Sequence, residues 1–245
     1  MKNSYILYEG KSLIDNKTDI VLIATGFKTP SANEKTGGVI QTYILVGDEH
    51  PYYAWKNKRD YAVCGDCPHR GVKTGKRSCY VNLSKSVANV FKAYAKGVYS
   101  QLEDFSIFKN KIVRAGSYGE PTAVPSSIWS QIYKNSHKMT GYTHRWRDVN
   151  NVNHNGFKFS DFCMASVDTE KDYNDAIKAE WRTFRSKLED EPLQKDEIYC
   201  ANTLKGIQCY NCVLCSGNKI KAKNIVIDAH GCNIQTYKLN TGRKK

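Results

Sequence analysis

Long apolar runs are missing from this chain. No segment has the length needed to span a bilayer. Met1-Lys2-Asn3 is not followed by an apolar stretch with a cleavage site. These two absences lead us to expect a protein of a reducing cytoplasm, with no membrane partner. Glycine-rich phosphate loops are also missing. Neither GxGxxG nor a P-loop occurs, which removes the sequence support for a dinucleotide or ATP site. There is no internal repeat and no low-complexity tract. Acid is scarce relative to base: 24 Asp and Glu stand against 37 Lys and Arg, leaving a net charge of +13. The basic residues run along the whole chain. An excess of this kind gains affinity for phosphates by counterion release, so a nucleic acid is the expected partner.

Among what is present, 40% hydrophobic residues over 245 positions are enough for a packed core. We expect one α/β domain over residues 1–245, with residues 200–232 forming a zinc-binding insertion and the last strand. Apolar runs predict strands at Asp19–Thr25 and Val39–Val46. The polar loop Lys28–Gly38 between them has the chemistry of loops that often cover a site, and equally of simple solvated turns. Helices are expected over His50–Lys58 and, with Ser84 as N-cap, over Val87, Val90, Phe91 and Tyr94. From Lys111 onward strand and helix alternate. Strands are read at Lys111–Ser117, Met139–His144, Asp161–Val167, Trp181–Ser186, Glu197–Cys200 and Asn224–Ala229. Helices open at Pro125-Ser126 and at Thr169, where Asp172 completes a capping-box-like start. This alternation predicts a parallel sheet, arranged as a small or incomplete (β/α) barrel or as an open doubly wound sheet.

Nine cysteines in a cytosolic chain point to metal rather than disulfides. Cys200-x8-Cys209-x2-Cys212-x2-Cys215 places four thiols within sixteen residues. That set suits tetrahedral zinc, or alternatively an iron–sulfur cluster. His230 is a rival to Cys200 for the fourth position. A second set, Cys64, Cys67 and Cys79, has His69, Cys163 or Cys232 as a candidate fourth ligand. Three cysteines with an aromatic after the last resemble the cluster loop of radical SAM enzymes, although the CxxxCxxC spacing of those enzymes is absent.

In a barrel-like domain the strand ends build the site. Those ends deliver Tyr118, Gly119 and Glu120, then His144 with Arg145 and Trp146, then Asp168, then Asp228 and His230. Glu120 and Asp168 are the candidate catalytic pair. One carboxylate could attack a sugar carbon while the other moves a proton. Asp168 could equally cap the helix that follows it. Gly116 and Gly119 would let backbone approach a ligand. Tyr118, Gly119, His144, Arg145, Arg182 and Arg185 are candidate substrate contacts, since aromatic faces stack on bases and arginines reach phosphates.

The segments Gly116-Ser117-Tyr118-Gly119-Glu120-Pro121, Gly141-Tyr142-Thr143-His144, Met164-Ala165-Ser166-Val167-Asp168 and Trp181-Arg182-Thr183-Phe184-Arg185, with the late cysteines, resemble phage DNA transglycosylases that place 7-deazaguanine in DNA. That family is similar to the tRNA-guanine transglycosylases, which are (β/α) barrels with a zinc site near the C-terminus. The resemblance implies DNA and a 7-deazaguanine base such as preQ0 as substrates. It implies Asp168 as the nucleophile and Glu120 as base-recognition or proton-transfer group. It implies zinc on Cys209, Cys212, Cys215 and His230. The family's CxCxxC spacing and the motifs around its acids are not matched. A non-catalytic nucleic-acid-binding zinc protein and an iron–sulfur enzyme using Cys64, Cys67 and Cys79 are the competing expectations.

Overall fold

A computed structural model describes residues 1–148, 156–230 and 234–243. Its first half begins with β1 (Ser4–Lys11), β2 (Asp19–Thr25) and β3 (Ile40–Val46). β2 and β3 are apolar almost throughout and buried on both faces. Such continuous burial is the mark of central strands. β1 pairs antiparallel with β2, and β2 antiparallel with β3. This antiparallel meander lies before Lys111, outside the alternating segment from which a parallel sheet is expected, and no helix connects its strands to carry a parallel crossover.

An excursion of helices then leaves the sheet: α1 (Pro51–Lys56), α2 (Tyr61–Cys64) and α3 (Ser86–Ala95). His50, not a helix residue, caps α1 by accepting from Tyr52 N–H. Lys85 rather than Ser84 precedes α3. A short edge strand, β4 (Ser100–Gln101), returns the chain to β1. The parallel part follows: β5 (Ile112–Tyr118), α4 (Ser126–Asn135), β6 (Lys138–Thr143), β7 (Met164–Val167), α5 (Glu170–Lys178) and β8 (Thr183–Lys187). It ends with β9 (Glu197–Tyr199), α6 (Ala201–Lys205), α7 (Cys209–Cys212), β10 (Asn224–Asp228) and α8 (Ile234–Asn240). The strand predicted from Asp161 starts only at Met164, since Phe159–Asp161 forms a single helical turn.

All ten strands join one sheet, in the order β4-β1-β2-β3-β5-β6-β7-β8-β10-β9. From β3 onward every pairing is parallel. Apart from the last two strands, that stretch follows chain order in one direction. The fold is therefore α/β with a mostly parallel sheet, and its central strand order does not reverse as a doubly wound sheet requires. No helix among the described residues is long and apolar enough to cross a membrane.

One buried and one half-exposed ion pair tie the late strands together. Arg185 on β8 donates to both oxygens of Glu197, at 2.7 and 2.6 Å. Lys187 reaches Asp228 at 2.8 Å. Arg182 bonds the carbonyls of Gly217, Ala222 and Lys223. These arginines are consumed in holding backbone and partner strands.

Candidate functional site

The C-terminal ends of β5, β6, β7, β8, β9 and β10, or the residues just after them, line one cavity of about 280 Å³. β5 leads to Glu120, β6 to His144 and β7 to Asp168, and all three line it. The turn after β5 depends on two glycines. Gly116 (φ 65°) and Gly119 (φ 93°) adopt a conformation that side chains resist. A Cβ on Gly119 would sit 2.6 Å from Ile44 Cβ, and one on Gly116 would sit 2.4 Å from Gly119 O. The space that these glycines leave is filled by the protein itself, not kept for a ligand. The turn then buries Glu120, whose backbone N–H donates to Val63 O. His144 N–H donates to its Oε2 at 3.1 Å. Burial pushes the Glu120 carboxyl up, against the hydrogen bonds it accepts.

Asp168 is not the cap of α5. Thr169 takes that role, accepting from Asp172 N–H. Asp168 is thereby freed for the cavity, where two imidazoles meet it. His69 Nε2 lies 3.0 Å from Oδ1, and His144 Nε2 lies 3.2 Å from Oδ2. Burial opposes ionisation of Asp168, but the His69 charge and the hydrogen bonds from both rings hold it well below the usual carboxylate range. Both histidines are raised despite their burial, His69 by the Asp168 charge and His144 by the Cys67 charge followed by its hydrogen bond to Asp168. Among the described residues, these three form the group of metal-ligating side chains whose donor atoms all lie within 4.8 Å of one another. They could hold a metal ion.

The helical excursion supplies the facing wall. Cys64 ends α2, Cys67 precedes the turn Pro68–Arg70, and Cys79 follows it; all three line the cavity. Arg70 fixes this loop from beneath by a buried pair with Asp60 and a bond to Gly65 O. Burial raises the Cys64 and Cys79 thiols. Cys67 goes the other way: burial opposes it, yet the His144 charge and hydrogen bond lower its pKa. Cys163 lies buried under Gly141 and does not line the cavity. Cys232 falls outside the described residues.

The late cysteines close the far side. Cys200 and Cys209 line the cavity, while Cys215 shares a hydrogen bond with Tyr142. Burial pushes Cys215 up to about 12, helped by the neighbouring Cys200, Cys209 and Cys212. The Lys28–Gly38 loop braces this segment: Cys209 N–H donates to Lys35 O, and Gln208 to Glu34 O. That loop also lends Asn33, Lys35 and Thr36 to the cavity lining. His230 reaches the lining too, but its Nδ1 is 2.8 Å from Asp228 O and its ring lies over Tyr80.

Of the other residues singled out in the sequence, Tyr118 and Gly119 are in the lining with Glu120. Tyr142 faces the cavity, whereas Trp146 is core and donates to Ser166 O. Arg145, Arg182 and Arg185 are not among the lining residues. Arg145 packs on Gly65 and pairs with Asp148. Asp228 is taken by Lys187. Arg114, which no local spacing marks, also lines the cavity, with Nη2 donating to Tyr80 at 2.8 Å and a buried Nε without a hydrogen-bond partner among the described residues. Tyr237, on the short helix α8, stacks on His69 at 5.5 Å, and no periodicity in the sequence marks that helix. The nearness of His69 to Cys67 was visible, but nothing in the spacing announced its partnership with Asp168.

No family model matches this chain, and no curated protein or solved structure does. The site has to be understood from its own chemistry.

Proposed function

We propose that the chain is a metal-dependent enzyme whose active site is this cavity, with an iron–sulfur cluster held by Cys64, Cys67 and Cys79. One observation carries the reading: three thiols from a single excursion line the same cavity as Glu120, His144 and Asp168. Thiolates suit iron–sulfur clusters and zinc alike. A closed structural zinc site takes four protein ligands, whereas this excursion offers three thiols to the cavity, which favours a centre with an open position. Cys64, Cys67 and Cys79 would hold a four-iron cluster by three of its irons, leaving the fourth without a cysteine ligand. When bound, such a cluster supplies electrons or an open coordination site. The chain's own part is to present the thiolates and position a substrate. His144 stabilises the Cys67 thiolate, Glu120 offers a buried carboxyl, and Tyr118 and Tyr142 offer aromatic walls.

The late set, in this reading, is a second and structural metal centre. Cys200 completes it, since the Cys200 charge bears on both Cys209 and Cys215, whereas His230 is engaged by Asp228 O and Tyr80. The sheet, whose strands β5 to β8 follow chain order, is then an incomplete (β/α) barrel. Anaerobic purification followed by iron and sulfide analysis tests the proposal. We expect brown protein with about four irons at the cavity site. Cys67→Ser and Cys79→Ser should remove that iron without unfolding the chain. Colourless protein holding zinc alone sinks it.

A second reading, guanine exchange in DNA for a 7-deazaguanine, is favoured by a different observation: Glu120 and Asp168 open into one cavity. It requires Asp168 to leave one imidazole before attacking a sugar carbon. The net charge of +13 suits a DNA partner. Incubation with duplex DNA and labelled preQ0, followed by nucleoside analysis, should transfer label with wild type and not with Asp168→Ala. Absence of label with both discards this reading.

A further inference from the structure

We infer that His69, His144 and Asp168 form a site for one divalent first-row metal ion, distinct from both cysteine sets. The three side chains come from separate elements: the turn after Cys67, the end of β6 and the end of β7. They meet only because the excursion folds back over the strand ends. Their donor atoms share one small volume, and all three side chains line the cavity, so further coordination positions open toward it. Two imidazoles and one carboxylate, with open positions, are a ligand set that borderline divalent ions accept.

The surroundings are those of a ligand set held in place. His69 Nδ1 is 2.9 Å from Ser78 Oγ, which in turn accepts from Asn240 Nδ2 at 2.9 Å. Asn240 also bonds Lys76 O and Thr74. Tyr237 stacks on the His69 ring with planes 17° apart, and its hydroxyl donates to Ser186 O. The ring is therefore fixed in rotation and its Nε2 is aimed at Asp168. Outer partners of this kind orient metal-bound histidines elsewhere, and their loss weakens metal affinity by about 10–100-fold. In the metal-free arrangement, protons on Nε2 bridge the rings to the carboxylate. A divalent ion would take the place of those bridging protons between the rings and the carboxylate.

Cobalt(II) is the probe. Apo-protein, stripped with chelator under anaerobic conditions, is titrated with cobalt. Bound ions are counted by elemental analysis, and thiolate-bound ions are identified by intense sulfur-to-cobalt charge-transfer bands. We expect one equivalent beyond the thiolate-bound ions, with weak ligand-field bands and no charge transfer. Asp168→Asn and His69→Gln should lose that equivalent while keeping the charge-transfer bands, which report that the rest of the chain is folded. Thr169→Ala, beside Asp168 but only a helix cap, should keep it. Equal cobalt counts and spectra in wild type, Asp168→Asn and His69→Gln overturn the inference. Should both variants also lose the thiolate bands, Ser78→Ala decides: 10–100-fold weaker binding of this one ion supports the site, and unchanged affinity refutes it. The experiment does not depend on the cluster at Cys64, Cys67 and Cys79. Absence of iron there leaves this equivalent to be counted as before.

Discussion

Glu120 is buried with its carboxyl accepting from His144 N–H and, more weakly, from Thr122 N–H. Its raised pKa has a consequence for stability. The native state holds this proton more tightly than the unfolded chain, whose ordinary value is 4.5. The stabilising contribution is complete below that value and is lost as pH rises through the raised native value. Wild type at neutral pH therefore carries a cost that Glu120→Gln does not. The advantage of the Gln variant should grow from pH 4 to pH 7, by about 1.4 kcal/mol for each unit of displacement. Urea unfolding at both pH values measures it, and an advantage that shrinks over that range would contradict the burial argument. At this scale the sequence was informative about position and less so about partners. Glu120, His144 and Asp168 could be read as strand-end residues of one cavity. What Asp168 does there could not, because Thr169 beside it was an equally good cap until the backbone showed which side chain accepts from Asp172. The arginines misled for a physical reason. A guanidinium serves as well to bind three carbonyls, as Arg182 does, as to bind phosphate.

The elements that could be read were the ones with strong local rhythm. β2 carries the apolar run Ile20–Ala24, β3 is apolar apart from Gln41 and Thr42, and α4 and α5 carry clear starts. β1 escaped because a register shift between Ile6 and Tyr8 breaks the two-residue alternation that a strand announces. α2, α6 and α7 have four or five residues each, too few to show a helical period. The turn joining β5 to Glu120 is the most constrained element of the site. Gly119→Ala forces a side chain into positive φ and into Ile44, which no flexible side-chain end can relieve. Backbone strain alone costs roughly 1–3 kcal/mol. A lowered melting temperature together with displacement of Glu120 from the cavity is the expected result. A variant as stable as wild type would show that the turn can rearrange.

On the scale of the whole molecule, the fold is a sheet with two characters: a local antiparallel meander at one end, and a long parallel array that carries the cavity. The alternation of strand and helix after Lys111 made the second part legible, while nothing in the sequence showed that the meander would be joined to it through β3 and β5. Metal should couple to global stability. Ions that bind only the folded cavity add RT ln(1 + [L]/Kd), about 4 kcal/mol at a thousandfold excess over Kd. Chelation is expected to lower the melting temperature of wild type and to leave the Cys67→Ser, Asp168→Asn double variant less affected. Equal shifts in the two proteins would mean that the stabilising metal lies elsewhere.

The bond between Asn240 and Ser78 spans 162 residues of chain, and that between His69 and Asp168 spans 99. Contacts so distant in sequence are made late, after the meander has formed from its neighbours. Through that interval the thiols that belong to the cavity are exposed together, each able to attack or oxidise with the wrong partner. Refolding of this protein is thus a race between closure of the sheet and sulfur chemistry. The winner is set by the reductant in the solution as much as by the sequence.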